Sequence, residues 1–161
     1  MIEETVVVRR SDDEFVTPPG SDEDVGELAS ILGFHIRLAH GAVYRHFTET
    51  FSSLDLTQKQ VSVLWLVDDH PGIAQSELSQ RLRMDRATTM AIVNRLQARH
   101  LLRRTASAKD GRKQALLLEP TGTALLAEAK KAVLEHERWL KSRFTPREIK
   151  QLTALLTRIH E

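Results

Sequence analysis

Arg86, Ala87, Thr88, Met90, Ala91, Asn94 and Arg95 form one short run of side chains suited to touching nucleic acid bases. On a helix, Thr89, Ile92, Val93 and Leu96 gather on one face that packs, and Arg86, Ala87, Met90, Ala91, Asn94 and Arg95 occupy much of the remainder. A free face of small residues, an amide and two arginines fits a major groove about 12 Å wide, where arginine pairs with guanine and apolar atoms meet the thymine methyl. Directly afterwards, Arg103, Arg104, Lys109, Arg112 and Lys113 concentrate positive charge. Asp110 lies two residues before Arg112 across Gly111, so its carboxylate can aim that guanidinium into a minor groove about 6 Å wide. A solvated amphipathic helix and an ordinary polar turn are the plain alternatives for each signal alone. Their adjacency favours a DNA-reading helix followed by a basic arm.

The charge distribution supports this reading. The chain has 161 residues and a formal net charge of +1, yet residues 1–27 hold nine acids against two bases, and residues 81–113 hold ten bases against two acids. With no cysteine, disulfides, thiolate metal sites, a cysteine nucleophile and thiol-based sensing are excluded. A glycine-rich phosphate loop, His-Glu-x-x-His and Gly-x-Ser-x-Gly are all missing, so an enzyme is not expected. No cofactor is expected either. The longest purely apolar run, Val63 to Val67, is far shorter than the roughly 18 residues of a membrane span. We therefore expect a cytoplasmic protein with no membrane partner.

The elements that must position these residues are mostly helical. Residues 1–24 have the composition of a disordered acidic tail. Apolar residues at helical spacing predict one long helix from Val25 to Phe51. Thr57-Gln58-Lys59-Gln60 has capping-box spacing ahead of the apolar stretch Val61 to Val67, and His70-Pro71-Gly72 stops that helix. A short helix over Gln75 to Leu82 and another over Arg86 to Arg99, capped by Asp85, form a helix-turn-helix. Leu101 to Ala106 and Gln114 to Leu118 read as a two-stranded hairpin, the wing. Thr121 to Arg143 is helical again, and Thr145-Pro146-Arg147-Glu148 caps a final helix carrying Ile149, Leu152, Leu155, Leu156 and Ile159. The fold class is mainly α, a winged helix-turn-helix of six helices. Its expected parts are a dimerisation helix over 25–55, a DNA-binding region over 56–120 and C-terminal dimerisation helices over 121–161.

From about residue 28 to 160 the chain resembles the MarR (multiple antibiotic resistance regulator) family. The resemblance runs through Leu56-Thr57-Gln58-Lys59-Gln60, Ser76 to Leu82, Met84-Asp85-Arg86-Ala87-Thr88-Thr89, Val93-Asn94-Arg95-Leu96 and Asp110-Gly111-Arg112. It implies a homodimer of interlocked terminal helices whose two winged domains bind a pseudo-palindrome in double-stranded DNA. The expected mode of action is repression by occupancy, relieved by a small-molecule effector, with activation as the alternative because a protein sequence records no promoter position. The chain departs from the family at three places. His100 stands where glycine is usual after the reading helix, Leu118-Glu119-Pro120-Thr121-Gly122 lacks the usual capping threonine, and Met90 and Ala91 replace polar or charged readers.

The resemblance also places the effector among the first, second and fifth helices. There, Phe34, Arg37, His40, Tyr44 and Arg45, with Trp65 and Trp139, are the expected ligand-binding residues. Aromatic walls with a few fixed polar groups suit an aromatic acid or its thioester. The stretch is similar to that of family members responding to hydroxycinnamoyl-coenzyme A thioesters, in which case Arg37 or Arg45 meets the phosphates. Each aromatic can equally serve packing. A metal-responsive alternative uses His35, His40, His46 and His136, although the spacings of the first three do not set ligands side by side on a helix. A further alternative is a winged-helix interaction adaptor that does not bind DNA.

Overall fold

The structure, a computed structural model, describes residues 25–107 and 114–160. The acidic tail and the arm residues Lys109, Asp110, Gly111, Arg112 and Lys113 lie outside the described residues. The chain divides into two compact units, Met1–Arg45 and His46–Glu161.

In the first unit the expected single helix is interrupted. A 3-10 turn covers Gly26–Ser30, Ile31 is extended, and the helix proper, α1, runs Leu32–Thr50 into the second unit. The cause is local: Gly26 sits at φ +58, Ser30 Oγ donates to the Glu27 carbonyl at 2.8 Å, and the His35 ring bonds the Ala29 carbonyl at 2.7 Å. Apolar spacing through Leu28, Ile31 and Leu32 survives this break, which is why periodicity alone does not reveal it.

The second unit follows the expected order. After the last turn of α1 come α2 (Gln58–Asp69), β1 (Ile73–Ala74), α3 (Gln75–Arg81), α4 (Arg86–Ala98), β2 (Leu102–Ala106), β3 (Gln114–Leu118), α5 (Pro120–Lys141) and α6 (Pro146–His160). The Thr57–Gln60 capping box forms in full, with bonds of 3.0 and 3.3 Å. The Thr145–Glu148 box forms likewise. The hairpin gains a third strand: β1 pairs with β3 through Ile73↔Leu116 and Ala74↔Ala115, giving the antiparallel order β1-β3-β2. Phe51, Leu64, Leu78, Leu96, Leu102, Leu116 and Leu126 fill the core of this unit almost without solvent contact.

Both unusual sequence positions around the wing have structural explanations. His100 adopts φ +54, and Leu101 N–H donates to the Leu96 carbonyl at 3.0 Å, closing α4 with the left-handed residue that glycine usually supplies. At the other position, α5 begins with Pro120 in its first turn and no side-chain cap from Glu119. Instead Glu119 N–H donates to the Leu101 carbonyl at 3.0 Å and Thr121 Oγ1 donates to the His100 carbonyl. The carbonyls of His100 and Leu101, just beyond α4, thereby hold the start of α5.

Candidate nucleic-acid interface

α4 starts at Asp85, whose Oδ1 accepts from Thr88 N–H at 2.8 Å and whose Oδ2 accepts from the Thr88 hydroxyl at 2.5 Å. These two bonds, the hydroxyl first, hold the Asp85 carboxyl below its ordinary range. Thr88 is therefore half-buried and serves the cap, whereas Arg86, Ala87, Met90, Ala91, Asn94 and Arg95 are exposed. Thr89, Ile92, Val93 and Leu96 are buried, as their spacing predicts. Met90, at 51% exposure, puts a large apolar side chain in solvent between two alanines. The helix turn before α4 carries Arg83 at φ +52.

Much of the positive charge here is already engaged. Arg81 pairs with Glu77 and reaches His70 at 2.8 Å, while Arg83 contacts His160 at 3.3 Å. Arg99 donates to the carbonyls of Asp55 and Leu54, and Arg103 lies 3.5 Å from Glu119. Arg104, expected to belong to the basic arm, is half-buried and reaches across to α3 and α4 instead. It donates to Asn94 Oδ1 at 2.7 Å, to Gln75 Oε1 at 3.2 Å and to Gln97 Oε1. The composition thus overstates the charge available to phosphates. Gln75, Gln97 and the buttressing role of Arg104 escape a sequence reading, because their contacts join α3, α4 and β2.

The expected effector residues fall into separate groups. In the first unit, the Arg37 guanidinium lies 5.2 Å from the Phe34 ring centre, and His40 stacks with Tyr44 at 6.4 Å; Arg45 is exposed. In the second unit, Trp65 is half-buried beneath the Lys130 ammonium at 5.0 Å, which also pairs with Asp68 at 2.8 Å. Trp139 stacks on His46 at 4.0 Å and lies 4.5 Å from the Arg143 guanidinium.

The metal alternative named His46 and His136, and these do meet, Nδ1 to Nδ1 at 2.8 Å. His136 is buried against Phe47. Burial and the facing His46 lower its pKa, against an opposing pull from Glu137. His35 is engaged elsewhere, and among the described residues no three metal-ligating side chains converge. Among the same residues no helix is long and apolar enough to cross a membrane.

Apolar side chains are left in solvent in both units. The first unit exposes Leu32 at 71% together with Leu28 and Ile31. In the second, α6 exposes Leu152, Leu155, Leu156 and Ile159, the last at 63%.

Comparison with known proteins agrees with this architecture. The sequence profile of the MarR family matches residues 54–113. A putative transcriptional regulatory protein for the hcr operon of Thauera aromatica is 30% identical over 136 residues, covering 84% of this chain and 82% of the relative. The transcriptional repressor CouR bound to a 23-mer DNA duplex superposes with a TM-score of 0.80 at 34% identity, over 88% of this chain and all of that one. CouR bound to p-coumaroyl-CoA gives a TM-score of 0.78 at 33% identity, over 86% of this chain and 97% of that one. These relatives are regulators of transcription and not enzymes, and the chain belongs to the MarR family of transcriptional regulators.

Proposed function

We propose that the protein is a homodimeric repressor that binds a pseudo-palindromic operator through α4 and is released by an aromatic acid or its coenzyme A thioester. The observation that carries the DNA-binding part is the division of α4 into a buried face and an exposed face of Arg86, Ala87, Met90, Ala91, Asn94 and Arg95. The proposed contact set adds Thr88 at the helix start and Lys109, Asp110, Arg112 and Lys113 from the arm, with Arg112 entering the minor groove. The exposed leucines and isoleucine of α6 support the dimer, since a contiguous apolar stripe on a monomer usually marks an interface and a two-fold contact covers the same stripe on both copies. Two reading helices about 34 Å apart then meet successive major grooves on one side of the duplex.

The effector class is supported by what the relatives bind or control. One structure of CouR holds p-coumaroyl-CoA, and the Escherichia coli homoprotocatechuate degradative operon repressor is 26% identical over 118 residues. Phe34, Arg37, His40, Tyr44, Arg45, Trp65 and Trp139 remain the proposed effector contacts. Release requires the effector to prefer a dimer whose helices no longer match the half-sites. A differential affinity of about 5.5 kcal/mol takes the dimer from almost entirely competent to almost entirely released. Because the carbonyls of His100 and Leu101 hold the start of α5, a shift of that helix carries the end of α4 with it.

A thermal-stability screen with free aromatic acids and with their coenzyme A thioesters tests the effector. Melting-point increases confined to aromatic acids or their thioesters, accompanied by loss of DNA binding, are the expected result. Stabilisation by neither class would refute the assignment.

A further inference from the structure

Arg104 lies in the basic stretch yet its guanidinium is spent on three amides. It donates to Asn94 Oδ1 at 2.7 Å and Gln75 Oε1 at 3.2 Å, and to Gln97 Oε1. Arginine carries donors and no acceptor, so each amide must turn its oxygen, not its nitrogen, toward it. The orientation of Asn94 is thereby set by chemistry. Asn94 is exposed on the same face of α4 as Met90 and Ala91, and its oxygen is held by the guanidinium of the half-buried Arg104 on β2.

Resting on the reading that α4 enters the major groove, we infer that Arg104 is a positioning residue that makes Asn94 a hydrogen-bond donor to the bases, so that Asn94 selects guanine. A free asparagine favours adenine because its oxygen accepts from N6 while its nitrogen donates to N7. With the oxygen engaged by a guanidinium, the amide offers chiefly its two N–H donors, and these suit guanine, whose major-groove edge presents the acceptors N7 and O6. The same fork joins β2 to α4 and α3, so the arm strand and the reading helix are held together as one body. Lysine cannot replace it, because an ammonium is a point charge without the planar fork that reaches three carbonyls.

The test is selection of bound sites from a duplex library with randomised half-sites, using the full chain, Asn94→Ala and Arg104→Lys, followed by affinity measurement over a salt series. The wild-type protein is expected to select guanine at one position in each half-site, and Asn94→Ala to lose that preference alone. Arg104→Lys is expected to relax the same position and bind about tenfold more weakly, with an unchanged slope of log affinity against log salt. Adenine at the Asn94-dependent position overturns the proposal, as does a wild-type preference left intact in Asn94→Ala. A normal base preference in Arg104→Lys also overturns it, whatever the salt slope, since lysine keeps the charge that the slope reads. If Arg104→Lys does not fold, as judged by circular dichroism, the base chosen at the Asn94-dependent position still decides. Failure of the wild-type chain to select any duplex removes the underlying reading along with the inference.

Discussion

Gly122 and Leu101 are packed backbone to backbone: a Cβ on Gly122 would lie 1.8 Å from the Leu101 carbonyl oxygen and 2.7 Å from its carbon. Neither atom is on a flexible side chain that can swing aside. Within a helix, alanine ordinarily improves on glycine by up to about 1 kcal/mol, but here the overlap outweighs that gain. Gly122→Ala is expected to destabilise the protein by about 1–3 kcal/mol, read from the midpoint of urea denaturation. Unchanged or raised stability would mean that the start of α5 is not seated on Leu101.

Acid sensitivity should arise at His136. Its folded pKa lies below the ordinary histidine value, first through burial and then through His46. The stability associated with the neutral ring is therefore present above pH of about 6.5, declines as pH falls toward the lower folded value, and levels off beneath it. His136→Asn should flatten the dependence of the thermal midpoint on pH below about 6.5, whatever its effect at neutral pH. An identical pH profile in the variant would place the titration elsewhere.

Asp85 acts through its cap. Its carboxyl is held below the usual range by the hydroxyl and the N–H of Thr88, so the contribution exists above the ordinary aspartate value and is lost as pH falls through the folded one. Asp85→Ala should lower the thermal midpoint and weaken DNA binding, because the first turn of α4 frays. Asp85→Asn, which also caps, should keep the midpoint at neutral pH and remove this acid-dependent contribution. Equal midpoints for alanine and aspartate at neutral pH would contradict the role of the cap.

The apolar face of α6 makes a prediction about assembly. Leu155 and Ile159 are 47% and 63% exposed, so glutamate at both positions should leave the helical circular dichroism unchanged. Sedimentation should then give a monomer of about 18.3 kDa and, since only one half-site is engaged, at least a tenfold loss of DNA affinity. A double variant that remains dimeric would place the interface elsewhere.

What could be read from the sequence was what depends on neighbours a few residues apart. Thr57 with Gln60, Thr145 with Glu148 and Asp85 with Thr88 are each three residues apart, and the burial of Thr89, Ile92, Val93 and Leu96 follows helical periodicity. The break at Ile31 was hidden, since the apolar spacing continues across it. β1 is not legible in the sequence, because two residues carry no periodicity and its pairing depends on distant Leu116 and Ala115. Arg104 appeared as one more charge of the arm, and only the folded chain brings it to Gln75, Asn94 and Gln97. The expected effector residues stand out by type alone, and type does not distinguish Trp139 stacked on His46 from Trp65 under Lys130.

The central claim is that the exposed face of α4 reads DNA, and it is tested most directly by fluorescence anisotropy on a duplex selected by the wild-type chain. Arg95→Ala, Arg112→Ala and Arg138→Ala each remove one positive charge, the first from the exposed face of α4, the second from the arm and the third from the exposed side of α5. The account predicts at least a tenfold loss of affinity for Arg95→Ala, a marked loss for Arg112→Ala and nearly wild-type binding for Arg138→Ala, with steep salt dependence throughout. Equal losses for all three variants, or affinity that hardly changes with salt, would contradict it.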